Sequence, residues 1–460
     1  MANKKLNSQQ KKVTRQFRTI GCLLFVFVLL LGALLGLLVP LRPDVSKAEN
    51  RTLTKFPEFS LETFLNGEYF SDISTWYSDT FPLRDPLITA NQKITALYGI
   101  KGEEQVIGTD LQADEIPTET STIQPSSSQA AAPQSDVEES SQTESQTESK
   151  EPVLPDSYQM EEAVQNQIQK YMYVKDGAAY SIYGFSQAAA DTYTQALSNA
   201  ASELAGQTNV YSILVPLNSG VMLDEQTLKS LGGSDQTQAI DYYYNSYKGV
   251  TGIETIRTLR EHNSEYLYFR TDHHWTALGA YYVYRNFCEA KGWTPNELSS
   301  FETMTFSPFL GTFYSALNKP ADMLNNPDYV TAYIPHGTNT MTFEDKNGTK
   351  YDWKVIRDVS KEGAGSGYYT FIGGDNPMSV IQNPNINDGS SCLVVKESYG
   401  NCFVPFLVDH YQTIYVVDFR YSKVNVLDYV KENQIKDLII MNNIGIINSE
   451  KVATTIKGLL

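Results

Sequence analysis

Residues 391–407 read SCLVVKESYGNCFVPFL. An apolar run enriched in β-branched residues enters a polar turn, Lys396-Glu397-Ser398-Tyr399-Gly400-Asn401, and an apparent helix follows with Phe403 and Phe406. A short apolar run of this kind, bounded by a turn, reads as a buried strand. The same pattern recurs on either side. NVYSILVPL, EYLYF, TIYVV and DLIIM read as further strands. QAAADTYTQALSNAASELA, QTQAIDYYYNSY, IETIRTLREH and TALGAYYVYRNFCEAKG read as helices, the last ended by Gly292. Alternation of this sort predicts an α/β domain over 158–460 with a mostly parallel sheet. Between the two blocks, 301–372 is less regular, and MTFEDKNGTKYDWKV predicts a hairpin turning at Asn347-Gly348.

Ligands gather at the carboxyl ends of strands in such sheets. Ser398 stands at one such end. A serine on a strand-to-helix turn can present its hydroxyl with backbone N–H groups beside it. It needs a histidine to take its proton and a carboxylate to orient that histidine. YFRTDHHWTALG, 268–279, supplies both. In an extended segment residues two apart share a side, so Asp272 is expected to reach Nδ1 of His274, with Nε2 facing Ser398. His273 is expected to point away, and Trp275 to wall the imidazole. The plainer alternatives are a helix-capping serine and a structural Asp-x-His.

A metal site would have to assemble Asp272, His273, His274 and the distant His410. No Cys pair and no H-E-x-x-H accompanies them. Asp-His-His also occurs in a family of metal-dependent phosphoesterases, but those need an Asp-x-Asp that this chain lacks. No metal and no cofactor are expected.

The chain has 460 residues and a net charge of −17. That excludes a nucleic-acid partner, which needs a basic footprint. Thirty tyrosines suit a protein that handles sugars. Four cysteines are too few for a disulfide framework. Cys288, Cys392 and Cys402 read as buried thiols, with a Cys392–Cys402 bond as the alternative.

The N-terminal third divides by composition. Residues 1–19 are a basic tail, expected in the cytoplasm. Residues 20–39 carry no charge, and twenty residues make a helix of about 30 Å, enough to span a bilayer. No A-x-A-like cleavage site precedes Pro40, so the expectation is a single-pass membrane anchor with the bulk of the chain outside the cytoplasm. Residues 40–108 read as a membrane-proximal helical segment packing on the core. Residues 109–157 are rich in Ser, Thr, Gln, Glu and Pro without an aromatic, the composition of a disordered acidic insertion.

ENRTLTKFP, DTFPLRD, TDHHW, FLGTFYSALNKPADML, FIGGDNP, VVKESYGNCFVPFLVDHY and VVDFRY together resemble the DHHW family of bacterial surface proteins. That family is similar to the alginate O-acetyltransferase proteins of the SGNH-hydrolase-like superfamily. The resemblance covers nearly all of 41–460 outside the insertion. It implies a flavodoxin-like three-layer α/β/α core and a Ser-His-Asp triad of Ser398, His274 and Asp272, the Asp/His pair standing upstream of the serine. It implies acetyl transfer or acetyl-ester hydrolysis on a secreted or cell-surface polysaccharide, beside a multi-pass membrane acyltransferase that supplies acetyl groups. A polysaccharide-binding scaffold subunit without catalysis is the alternative. One departure stands out: the alginate proteins carry a Gly-Thr-Ser-Tyr type block where this chain has Lys396-Glu397-Ser398-Tyr399. Further candidates for contacting substrate or oxyanion are Gly374 and Asn376 in a Gly-Gly-Asp-Asn turn, Tyr399 as a hydroxyl donor, and Arg420.

Overall fold

The computed structural model describes residues 170–460 throughout, and before them 104–108, 111–117, 68–82 and shorter stretches between 19 and 64. The chain forms two units, 1–100 and 101–460. In the first, helix α1 (Glu68–Asp79) carries Trp76, whose ring stacks under the Arg42 guanidinium at 3.8 Å.

The second unit begins with three short antiparallel strands, β1 (Gln105–Ile107), β2 (Met172–Lys175) and β3 (Ala178–Ser181). Helix α2 (Gln187–Glu203), N-capped by Ser186, leads into β4 (Asn209–Val215). Then come α3 (Gln236–Ser246), β5 (Val250–Gly252) and α4 (Ala277–Lys291). Thr276 caps the start of α4, and Gly292 ends it with φ of 68°, the left-handed conformation that a glycine adopts without steric cost. A two-stranded ribbon follows, β6 (Glu302–Phe309) with β7 (Asp328–Ile334). Next are β8 (Thr340–Glu344), β9 (Lys350–Lys354) and β10 (Met378–Gln382). The chain ends with β11 (Ser391–Lys396), β12 (Thr413–Asp418), β13 (Asp437–Asn443) and α5 (Glu450–Leu459).

Eight of these strands form the central sheet, in the order β9-β8-β10-β12-β11-β13-β4-β5. The strands from β12 to β5 run parallel. Those from β9 to β12 pair antiparallel. Helices cover both faces of the parallel half: Tyr211 meets Phe287 of α4 on one side, and Ser212, its neighbour on β4, bonds the Tyr247 hydroxyl just past α3 on the other. β11 and β13 are buried along their whole length, which is why they read as unbroken apolar runs.

Two expectations of fold are corrected. The sheet is mixed rather than mostly parallel, because a three-stranded antiparallel wing extends the five-stranded parallel half. The single N-terminal transmembrane helix is not found: among the described residues no helix is long and apolar enough to cross a membrane, and most of 20–39 lies outside them. The start of the 109–157 segment is also more structured than its composition implied. Residues 111–117 dock on the core, with the Asp114 N–H donating to the Phe185 carbonyl at 2.8 Å and its carboxylate accepting from the Gln187 N–H. The rest of that segment, from 118, lies outside the described residues. EYLYF is not a strand. It makes one bridge, Tyr268 to Trp275. Cys288, Cys392 and Cys402 are free, buried thiols.

Candidate active site

β11 is flanked by β12, which follows it in the chain, and by β13, which follows that. The crevice between β11 and β13 is therefore where the strand order reverses, the place where open α/β sheets bind their ligands. Glu397 and Ser398 stand at its lip. Glu397 caps a 3-10 turn, Ser398–Cys402. Its Oε2 accepts the Tyr399 N–H at 3.0 Å. Its Oε1 accepts the Asn443 N–H at 2.9 Å from the end of β13. One fully buried carboxyl thus ties the serine turn to the neighbouring strand. Gly400 is required by space, since a Cβ there would lie 2.7 Å from that of Lys396.

The Asp/His pair comes from a tight loop, not an extended segment. The Phe269 N–H donates to the His274 carbonyl and the Thr276 N–H to the Leu267 carbonyl, closing the chain on itself. Asp328, at the start of β7, anchors the approach by accepting the Thr271 N–H at 2.7 Å and its hydroxyl at 2.6 Å. Within the loop Asp272 Oδ1 accepts both the backbone N–H of His274 at 2.9 Å and its Nδ1–H at 2.6 Å. His274 Nε2 is 2.7 Å from Ser398 Oγ. Ser398 also lies 3.2 Å from Glu397 Oε2, but His274 is the nearer acceptor for its proton. The three groups expected from the sequence are brought together, with Ser398 4% and His274 6% exposed.

The site has supports that sequence spacing did not show. Thr312 turns its N–H (2.8 Å) and its hydroxyl (3.0 Å) onto Asp272 Oδ2. Gly311 permits this approach, because a Cβ there would fall 2.2 Å from that of Asp272. Phe313, buried against Met172, Ala179 and Met323, pins the short helix that carries Thr312. Tyr368 stacks on the His274 ring, centroids 4.1 Å apart and 14° from parallel, and donates its hydroxyl to the Ser398 carbonyl. Thr312 lies within FLGTFYS and Tyr368 just before FIGGDNP, and those runs were the only signal for either.

His273 does not turn away. Its ring centroid is 3.8 Å from that of His274, and its Nδ1 is 2.6 Å from the Thr312 hydroxyl. An ionised Asp272 only accepts, so Thr312 donates its proton to Asp272 and takes one from His273 Nδ1–H. His273 is then neutral with a bare Nε2, which is buried without a hydrogen-bond partner. Burial, reinforced by His274, pushes the His273 imidazole down to about 3. Burial alone would raise the Asp272 carboxyl, but the electrostatic influence of the neighbouring His274 and His273, with the hydrogen bonds from His274 and the Thr312 N–H, outweighs it and holds it well below the usual carboxylate range. Asp272, His273 and His274 are close enough to share an ion. Three of their ring nitrogens, however, already face Asp272, Ser398 and Thr312. His410 is apart from them, 2.6 Å from the Tyr284 hydroxyl and stacked on Trp293.

The remaining candidates are placed differently from expectation. The Gly374 N–H donates to the Phe371 carbonyl, so it is not a free oxyanion donor. Asn376 donates its amide to the Gly373 carbonyl, leaving Oδ1 buried and unpaired. Tyr399 donates its hydroxyl to the His273 carbonyl, and its own carbonyl accepts the Trp275 indole N–H at 2.9 Å. It welds the serine turn to the histidine loop. Arg420 belongs to a buried charge cluster, not to the surface. It contacts Asp418 at 2.7 Å and Asp375 at 2.9 Å, while Lys396 Nζ reaches Asp375 at 3.2 Å and Asp418 at 3.0 Å. Two cations and two anions balance there. The cluster fixes the Gly-Gly-Asp-Asn turn, where Ile372, Gly373 and Gly374 have φ of 45°, 69° and 83°, against the ends of β11 and β12.

A family model described as DHHW protein matches residues 49–417. Among solved structures, a DHHW family protein from Eubacterium siraeum is 30% identical. It covers 62% of this chain and 94% of its own, with a TM-score of 0.56. Bacillus cereus PatB1 with a sulfonyl adduct is 18% identical over 59% of this chain and 93% of its own, with a TM-score of 0.51. The O-acetyltransferase domain of Pseudomonas putida AlgJ is 13% identical over 62% of this chain and 98% of its own, with a TM-score of 0.34. No curated protein matches the sequence. The family model spans most of the chain, including the DHHW run of 272–275 and the serine turn, and the chain belongs to the DHHW protein family.

Proposed function

We propose that the protein transfers acetyl groups to, or removes them from, a cell-envelope polysaccharide through an acetyl-Ser398 intermediate. The observation that carries this is the unbroken line Asp272 Oδ1–His274 Nδ1, 2.6 Å, and His274 Nε2–Ser398 Oγ, 2.7 Å. This is the arrangement that activates a serine for acyl transfer.

Ser398 Oγ attacks the acetyl carbonyl and its proton passes to His274 Nε2. The carbonyl π electrons move onto oxygen, then return as the donor oxygen leaves with the proton from His274. In the second half a sugar hydroxyl, or water, gives its proton to His274 and attacks the acetyl-serine. Ser398 recovers its proton as it leaves. Asp272 keeps His274 in the tautomer with Nε2 bare and offsets its charge when protonated. In this reading a separate membrane acyltransferase supplies the acetyl groups. The sulfonyl adduct named for the PatB1 structure agrees with this chemistry.

Incubation with p-nitrophenyl acetate followed by acid quenching and peptide mass spectrometry tests the reading. One acetyl group on the peptide containing Ser398, absent in Ser398→Ala, is expected. No hydrolysis and no acetyl-serine with any acetyl ester would leave the scaffold reading instead.

A further inference from the structure

The antiparallel wing carries a groove on the face turned away from its core. Along β8, Met341 and Phe343 are buried while Thr340 and Thr342 stand outward. Along β10, Ser379 and Ile381 are buried while Val380 and Gln382 face out with Thr342. Two depressions lie on this face, of about 1100 Å³ and about 560 Å³. The first includes Gln382, Asn387, Gln412 and Thr413, and the second Lys350, Met378, Tyr421 and Tyr429. Thr342 and Val380 line both, and they are register partners on adjacent strands. The two depressions are therefore one groove with a waist at Thr342–Val380, running along five-residue strands of roughly 17 Å.

The groove ends at the nucleophile's edge of the sheet. β12 is parallel to β11, so Tyr421, just past β12, lies at the edge where Ser398 follows β11. β10 is antiparallel to β12, so Pro377, just before β10 and next to Asn376, lies there too.

The lining says what fits. Threonine hydroxyls and glutamine and asparagine amides both donate and accept, as sugar hydroxyls do. Lys346, Lys350, Lys354, Lys423 and Arg357 outnumber Glu344, Asp345 and Asp352, so a chain of net charge −17 presents no acidic barrier here. The lining comes from the outward side chains of β8, β9 and β10, with Thr342 between Asp352 and Val380 in register, so the groove offers side-chain hydroxyls, amides and charges to its ligand. We infer that it binds a strand of polysaccharide and leads its hydroxyls toward Ser398. The inference rests on the acetyl-transfer reading for its substrate class.

Native gel electrophoresis with polygalacturonate, xylan or glycol chitin cast into the gel tests it on the full chain. At least one polymer is expected to retard the wild type. Thr342→Trp, which plugs the waist, should weaken that retention at least fivefold, and Gln382→Trp should act in the same direction. Thr342→Ser should be retained like the wild type, and all three variants should hydrolyse p-nitrophenyl acetate within twofold of it. The inference is overturned if none of the three polymers retards the wild type, or if both tryptophan variants are retained equally well. Groove-dependent retention without any p-nitrophenyl acetate hydrolysis would sink the catalytic reading and leave the groove standing.

Discussion

The Thr312 backbone N–H and hydroxyl both point at Oδ2 of Asp272, the oxygen that His274 does not use. Each oxygen of the carboxylate is thus occupied on purpose of geometry: one side faces the imidazole, the other is clamped by a residue forty positions downstream. A clamped carboxylate holds the imidazole's orientation without relying on side-chain packing alone.

Removing the Thr312 hydroxyl while keeping its shape isolates that clamp. Thr312→Val should lower kcat on p-nitrophenyl acetate by about 10- to 100-fold, the value of a hydrogen bond to a charged group. KM should change little, and Thr312→Ser should restore most of the rate. Equal rates for Val and wild type would remove Thr312 from the mechanism.

The triad itself has a steeper signature. Ser398→Ala and His274→Ala should each cost about 10⁴-fold or more in kcat, and Asp272→Asn about 10⁴-fold through the wrong tautomer. The double variant Ser398→Ala/His274→Ala should be no worse than either single change. Multiplicative losses in steady-state rates would show that the residues do not act as one unit.

His273 makes stability depend on acidity. Its folded pKa is depressed to about 3 by burial and by His274, against about 6.5 in an unfolded chain. Between those values the unfolded state binds the extra proton, so stability rises with pH and falls as the solution is acidified from about 6.5 toward 3. The slope from this one group approaches about 1.4 kcal/mol per pH unit. Asp272, depressed below the usual range, adds a loss only as pH falls below about 4. Urea denaturation from pH 6.5 to 4.5 should show a slope flatter by about one proton in His273→Asn than in the wild type. His410 is also pushed down by burial, but it is common to both proteins and cancels. Parallel slopes would refute the neutral, buried assignment of His273.

The buried charge cluster should tolerate no single deletion. Lys396→Met leaves Asp375 and Asp418 facing only Arg420, and breaking a buried pair costs about 3–5 kcal/mol. The expected result in equilibrium unfolding is a loss of that size. Lys431→Met removes an exposed partner of Glu203 and should change stability by about 1 kcal/mol or less. If the two variants unfold alike, the cluster is not a structural anchor.

Much of the site was legible because its residues obey local rules. SCLVV is a bounded apolar run, and a buried parallel strand with a functional turn at its end looks like that. Asp272-x-His274 was legible from spacing, although the reason it works differs from the expected one. The pair is joined by a tight turn in which Asp272 also accepts the His274 backbone N–H, so His273 lies beside its neighbour rather than opposite it. EYLYF misled because its aromatic composition fits a strand, while Asp328 takes the backbone N–H groups of the residues that follow, Arg270 and Thr271. Thr312, Asp328 and Tyr368 reach the site only through tertiary contact. Of the antiparallel wing, the β8–β9 hairpin was legible from its Asn347-Gly348 turn, whereas β10 alternates exposed and buried residues over only five positions, a weaker signal than the apolar runs of the parallel half.

The strand that comes latest in the chain among those of the central sheet sits in its interior. β13 separates β11 from β4, and its final residue, Asn443, holds Glu397 beside the nucleophile. β4 and β5, the earliest strands of this sheet along the chain, therefore connect to the strand that ends at Ser398 only through residues 437–443. Loss of β13 would divide the parallel half of the sheet and release Glu397 from its second partner at the same stroke.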